Sequence, residues 1–144
     1  LHFTIHSFPT RRSSDLSETN DPDEQRLVAW VIRNRFERGY WGAQSYKDVV
    51  LEPYQFSAFN PGRPTRAKYL NMDASNERWA EAWQIAHDVI TAKPGERPFP
   101  ISVTHFYSPV SMPGYRSPYW ASRLPRYEEV QVDPFRFRFH MNEI

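Results

Sequence analysis

The fold is set by the stretch DPDEQRLVAWVIRNRFERG, residues 21–39. Asp21 can cap a helix. Pro22 suits the first turn, because backbone nitrogens there form no hydrogen bond within the helix and the missing N–H of proline costs nothing. Apolar residues then recur at helical spacing from Leu27 to Phe36, and Gly39 is suited to ending the helix. The stretch predicts a helix over residues 22–38.

A second helix is predicted over residues 76–92. Ser75 can cap it, its apolar residues share one face, and a Lys-Pro-Gly sequence at 93–95 ends it. We interpret Trp79 and Trp83 as core residues on that face. Residues 46–51, between the two helices, are amphipathic as either a helix or a strand. Residues 53–62 predict an aromatic loop or irregular strand, and the polar stretch that follows, to residue 75, predicts a surface loop.

The last third of the chain predicts a sheet. Alternating patterns over residues 101–107, 127–132 and 135–140 predict strands, with a loop rich in Pro, Ser and aromatic residues over 109–125. We interpret the last strand as ordinary sheet amphipathicity without a catalytic role, with three phenylalanines on one side and three polar residues on the other: Phe135, Phe137 and Phe139 against Arg136, Arg138 and His140. The fold class is α+β, with two main helices and a C-terminal antiparallel sheet.

The first sixteen residues have a separate origin in this interpretation. LHFTIHSFPTRRSSDL coincides, residue by residue and in frame, with the translation of a common sequencing adapter that carries a sample index at Phe3-Thr4-Ile5. The alternatives are a basic N-terminal arm or a degraded signal peptide, but the stretch has no apolar segment of the usual length. We therefore exclude residues 1–16 from the fold and expect one domain over residues 17–144.

Composition excludes several classes of function. Without Arg11, Arg12 and Asp15, the chain has 16 basic and 16 acidic residues, so no basic surplus predicts nucleic-acid binding. The chain has no cysteine, which excludes disulfides, thiol catalysis and zinc–cysteine sites. The remaining histidines are widely spaced, so we expect no metal and no cofactor. No apolar run is long enough to predict a membrane span, and we expect a monomer.

Aromatic and amide side chains concentrate in the predicted loops. Aromatic rings stack on the apolar faces of sugars, and amides suit sugar hydroxyl and N-acetyl groups, so a saccharide cleft is one interpretation. A protein interface is the other, because aromatic loops also form interfaces. The chain has no P-loop, no G-x-S-x-G and no H-E-x-x-H motif. The set comprises Tyr54, Gln55, Phe56, Asn60, His105, Phe106, Tyr107, Tyr115, Tyr119 and Trp120.

Three segments resemble one family. Glu18 with the helix EQRLVAWVIRNR (24–35), the string VVLEPYQFSA (49–58) and THFYSP (104–109) resemble the SleB-type cell-wall hydrolases, which include spore cortex-lytic enzymes. The resemblance implies a small lysozyme-like α+β domain that cleaves the glycan strands of peptidoglycan, mainly as a lytic transglycosylase. It also implies a location at the cell wall, in the periplasm or outside the cell. A muramidase, which cleaves the same strands by hydrolysis, is the related enzyme. The alternatives are a non-catalytic saccharide- or peptide-binding module and a structural or virion-assembly protein.

The resemblance also implies where the catalytic acid belongs. The family carries an E-A-R-G-E-like stretch just before the first helix, and Glu18 matches its second glutamate. The first glutamate, which the family uses as the general acid, falls at about Ser14, inside residues 1–16. We therefore expect this chain to lack its catalytic acid and N-terminal catalytic helix, to be inactive itself, and to leave Leu27, Val31 and Trp83 partly exposed.

The candidate site residues follow from these considerations. Glu18 is either catalytic or an exposed residue at the positive end of the helix dipole. His105 and Tyr107 have strand parity opposite to Phe106 and either contact substrate or satisfy polar groups in the core. We expect Asn34 to bond from helix to loop rather than to touch substrate. The predicted substrate-binding set is Tyr54, Gln55, Phe56, Ser57, Asn60, His105, Tyr107 and Trp120.

Overall fold

The computed structural model describes residues 21–51 and 77–143. That part of the chain contains three α-helices and three short strands. The helices are α1 (Pro22–Glu37), α2 (Tyr46–Leu51) and α3 (Glu77–Thr91), and the strands are β1 (Val103–Tyr107), β2 (Arg126–Tyr127) and β3 (Arg138–Met141). Single 3-10 turns lie at Tyr40–Gly42, Pro94–Glu96, Pro109–Ser111, Pro113–Tyr115 and Tyr119–Ser122.

Helix α1 begins and ends where its sequence predicts. The Asp21 carboxylate accepts hydrogen bonds from the backbone N–H of Asp23 at 2.8 Å and of Glu24 at 3.4 Å, which satisfies two donors of the first turn. The chain leaves the helix at Gly39, whose φ of 69° is the left-handed conformation that glycine adopts at low cost. The prediction of a helix over residues 22–38 is confirmed to within one residue.

Helix α3 packs against α1 through small side chains. Ala82, Ala86 and Val89 are buried, and the two alanines let the helix backbones approach closely. Trp83 lies at the edge of this stripe, is 36% exposed, and stacks on His87 with ring centroids 5.1 Å apart. The prediction that Trp83 is a core residue was therefore wrong. Trp79 lies within α3, but its side chain is outside the described part.

The three strands form an antiparallel sheet in the order β1-β3-β2. The pairing places His105 opposite His140, Phe106 opposite Phe139, and Tyr107 opposite Arg138. On the other side of β3, Arg126 pairs with His140 and Tyr127 with Phe139. Paired residues share a face, so His105, Tyr107, Arg126, Arg138 and His140 form what we call the outer face.

All three predicted strands are shorter than expected, and the first, predicted over residues 101–107, begins only at Val103. The strand predicted over residues 127–132 ends at Tyr127, because the chain bends over residues 130–132, where the Val132 N–H donates to the Val130 carbonyl at 3.1 Å. The strand predicted over 135–140 begins only at Arg138. A turn held by Asp133, whose carboxylate accepts from the Phe135 N–H at 2.9 Å, places the Phe135 ring in solvent at 70% exposure.

The core lies between α1, α3 and the opposite face of the sheet, which we call the inner face. Phe106 and Phe139 contribute the inner-face rings, with centroids 6.1 Å apart. Leu27 and Val31 are buried at 8% and 0% exposure, so the expectation that they are partly exposed was wrong. The α+β prediction is confirmed. Among the described residues, no helix is long and apolar enough to cross a membrane.

Candidate functional site

The C-terminal half of α1 anchors strand β1 through buried polar side chains. Asn34, fully buried, donates from Nδ2 to the carbonyls of Val103 at 2.9 Å and Pro100 at 3.2 Å, while its Oδ1 accepts from Arg97. The pairing of β1 shifts register between Val103 and His105. The carbonyls at this irregularity accept side-chain bonds from α1, as the bond from Asn34 to Val103 illustrates. The expected helix-to-loop bond of Asn34 is confirmed.

Arg35 completes this anchor. Its Nε donates to the Thr104 carbonyl at 2.6 Å, and its guanidinium carbon lies 5.7 Å from the centroid of the Trp41 ring. Burial lowers the pKa of Arg35 to about 10, although Tyr40 opposes the shift. The Arg35 side chain stays charged near neutral pH and holds β1 at Thr104. His105, which follows Thr104 in the strand, therefore faces outward.

Trp120 packs over the outer face of the sheet. Its ring centroid lies 5.0 Å from His105, 5.7 Å from Tyr107 and 5.2 Å from His140, each in an edge-to-face arrangement. The 3-10 turn at Tyr119–Ser122 carries this tryptophan and leaves Tyr119 80% exposed beside it. Trp120 and His105 are partly exposed in this cluster, whereas Tyr107 and His140 are buried beneath Trp120. The exposed edge of the cluster suits a partly apolar, hydroxyl-rich ligand.

The rings continue to the turn after α1. The Tyr40 hydroxyl lies 2.9 Å from the Thr104 hydroxyl, and the Tyr40 ring is 6.3 Å from His105. The neighbouring Trp41 ring is 5.3 Å from Tyr40 and 45% exposed. Trp41 adopts a φ of 55°, which bulky residues rarely do. The strained turn therefore presents a tryptophan to solvent at the end of the ring cluster.

Both outer-face histidines are neutral near pH 7. His105 Nδ1 lies 3.0 Å from the Thr104 hydroxyl, and burial, with repulsion from Arg35, His140 and Arg38, lowers the His105 pKa to about 4. Burial also lowers the His140 pKa, although its Nδ1 bond to the Leu124 carbonyl at 2.8 Å opposes that shift. Neither imidazole carries the proton that a general acid must deliver near neutral pH.

A pocket of about 540 Å³ opens beside Trp120. Tyr107, Arg126, Arg138 and His140 form its sheet side, and the loop over residues 117–124 forms the rest. Of the described residues, no aspartate or glutamate lines it. This part of the site is chemically equipped to bind through rings, hydroxyls and guanidinium groups rather than to donate a catalytic proton.

The structure brings together three of the predicted site residues: His105, Tyr107 and Trp120. The ring cluster also contains residues that the sequence interpretation missed. The Gly-Tyr-Trp-Gly turn at 39–42 could have drawn attention to Tyr40 and Trp41, whereas Arg126, Arg138 and His140 reach the site through strand pairing, which the sequence does not reveal. The other predicted residues lie outside the described residues: Glu18, Tyr54, Gln55, Phe56, Ser57 and Asn60.

The described side chains form no cluster of three or more His, Cys, Asp or Glu that could hold a metal ion. Searches of curated proteins and of solved structures found no match. The family model described as Cell Wall Hydrolase matches residues 19–135, which include α1, β1 and Trp120. Because this match covers most of the chain, the protein belongs to the cell wall hydrolase family, as its SleB-type motifs predict.

Proposed function

We propose that this domain binds the glycan strands of peptidoglycan across the outer face and cleaves them in the manner of a lytic transglycosylase. The observation that carries the binding half is the run of rings from Trp41 through Tyr40 and His105 to Trp120. Rings of this kind stack on the apolar faces of sugars, while the Tyr107 hydroxyl at the pocket and the partly exposed His105 offer hydrogen bonds.

The chemistry needs one carboxylic acid that is protonated near neutral pH. It protonates the glycosidic oxygen while positive charge develops at the sugar C1, and the muramoyl 6-hydroxyl then closes on C1, with the resulting carboxylate accepting its proton. One residue thus acts first as acid and then as base. A muramidase would instead deliver a water molecule to C1.

Two carboxylates of α1 are unsuited to this role. Glu24 is buried and forms an ion pair with Arg136 at 2.6 Å. Burial would raise the pKa of Glu37, but hydrogen bonds from Arg33 and Arg97 outweigh it and lower that pKa, so Glu37 is ionised near neutral pH. We propose that the acid belongs in the segment before α1, near Ser14, with Glu18 as its neighbour.

Purified sacculi provide the test. We expect the 144-residue chain to sediment with sacculi and to release no fragments. Replacement of residues 1–16 by the corresponding segment of a SleB-type family member, which supplies the helix and the glutamate before α1, is expected to give a protein that releases muropeptides ending in 1,6-anhydro-muramic acid. Mass spectrometry of the released material reads this directly. Failure to bind sacculi, or release of peptides without sugars, would contradict the proposal.

A non-catalytic saccharide-binding module is the second candidate. One observation favours it: none of the described carboxylates lines the pocket beside Trp120. This candidate predicts that the wild type and the protein with the replaced N-terminal segment bind sacculi equally and release nothing. Under either candidate function, the Trp120→Ala variant should lose its binding to sacculi. The two candidates therefore differ in catalysis and agree on the binding face.

A further inference from the structure

Two arginines approach the outer-face pocket from neighbouring strands. Arg126 pairs with His140 across β2 and β3, and Arg138 lies two residues before His140 on the same face. Both residues line the pocket, and the charges of both disfavour a proton on His140. Strand parity therefore concentrates positive charge on one side of the cavity, which the zero net charge of residues 17–144 would not suggest.

This charge is poorly compensated. Arg138 donates from Nε to the Pro134 carbonyl at 2.9 Å and from Nη1 toward the Tyr107 hydroxyl at 3.4 Å, and no described carboxylate forms an ion pair with it. Among the described residues, Arg126 forms its ion pair with Glu128, at 3.7 Å and with 73% of the glutamate side chain exposed. An ion pair of that length and exposure contributes little.

Arg126 also has an unused donor. Its Nε is buried and has no hydrogen-bond partner among the described residues. A buried N–H without a partner is costly, so a ligand that accepts from it would be favoured. The Tyr107 and Ser117 hydroxyls, 3.4 Å apart at the same cavity, add two further polar groups.

We propose that this pocket, lined by Arg126 and Arg138, binds a carboxylate carried by the muramoyl residue of the glycan strand. The proposal rests on the proposed function and adds a subsite to it. A guanidinium offers paired donors that match the two oxygens of a carboxylate. The carboxylate has two possible sources, the lactyl group of a peptide-free muramoyl sugar or the stem peptide attached to it. The rings of the outer face would hold the sugar while the arginines hold the acid.

Calorimetric titration of the 144-residue chain tests this inference with matched ligands. The first is a peptide-free tetrasaccharide of alternating N-acetylglucosamine and N-acetylmuramic acid, and the second is the same sugar with its lactyl groups converted to amides. A second pair carries stem peptides, with free or amidated peptide carboxylates. We expect at least one acid form to bind about tenfold more tightly than its amide, which corresponds to about 1.4 kcal/mol. The pair that shows the difference identifies the source.

Variants then locate the effect. Arg138→Gln and Arg126→Gln should abolish the preference for the acid, while Arg138→Lys should retain part of it, because lysine keeps the charge but loses the paired geometry. Arg116→Gln, an exposed arginine that does not line the pocket, should leave the preference unchanged. A thermal melt of each variant checks folding.

The outcomes are distinct. Equal affinity for acid and amide in both wild-type pairs overturns the inference and leaves the proposed function standing, and this comparison needs no variant. No binding of any tetrasaccharide overturns both. A preference for the acid that survives both glutamine variants also overturns the assignment to this pocket.

Discussion

The two faces of the small sheet have opposite properties although they alternate along the same strands. The inner face buries Phe106 and Phe139 among apolar neighbours. The outer face, one residue away in each strand, carries His105, Tyr107 and His140 beneath Trp120. Strand parity therefore separates the apolar residues that hold the core from polar residues beneath Trp120, of which His105 is partly exposed while Tyr107 and His140 are buried. Substitutions on the two faces should change different measurements.

The largest expected effect is on the inner face. Phe139 is 1% exposed and contacts the rings of Phe99, Phe106 and Phe137. Phe139→Ala should lower the free energy of unfolding by about 3–5 kcal/mol, because it removes buried apolar surface and leaves a cavity. Chemical denaturation measures this. Phe135→Ala, at a ring that is 70% exposed, is the matched control and should change stability little. A small effect at Phe139 would contradict the assignment of the core.

The next effect concerns the anchor between α1 and β1. Asn34→Leu should cost about 2–3 kcal/mol of unfolding free energy, because the carbonyls of Pro100 and Val103 and the guanidinium of Arg97 lose a buried partner. It should also broaden the NMR resonances of His105, since β1 is no longer held. Gln84→Leu, at an exposed position of α3, controls for the added apolar side chain. Unchanged stability in Asn34→Leu would show that the anchor is unimportant.

On the outer face, binding should respond more than folding. Trp120→Ala should weaken glycan-strand binding at least about tenfold through lost ring stacking, while unfolding free energy falls by only about 1 kcal/mol. Titration calorimetry and denaturation on the same sample separate the two effects. A loss of stability as large as that of Phe139→Ala would abolish the distinction between the faces.

Acid pH should produce the smallest effect. The pKa of His105 is about 4 in the folded chain against 6.5 for an ordinary histidine, so protons bind the unfolded state first. Stability is therefore fully present above about pH 6.5 and falls as the pH decreases toward 4, by an amount on the order of 1 kcal/mol after solvent screening. The pKa of His140 is also lowered, so this residue adds to the same loss of stability at acid pH. His105→Gln should flatten the pH dependence measured by denaturation at several pH values, and an unchanged pH dependence in that variant would contradict this assignment.

The sequence predicted the helices better than the sheet. The cap at Asp21 and the apolar spacing of α1 are local properties, so its bounds were predicted to within one residue. The strand predicted over 135–140 extended too far, because alternation continued through a turn that Asp133 holds. His140 was given no role, since its position opposite His105 depends on pairing between distant segments. The alternation of side chains along a strand was enough to predict that His105 and Tyr107 lie on the side of the sheet opposite to Phe106.

The most direct test of the outer face as the recognition surface is NMR titration of the chain with a peptidoglycan tetrasaccharide. The side-chain resonances of Trp120, His105 and His140 should shift together and saturate with one dissociation constant, while those of Phe106 and Phe139 on the inner face should move little. Shifts confined to residues away from Trp120, or no shifts at saturating sugar, would contradict the assignment of the outer face as the recognition surface.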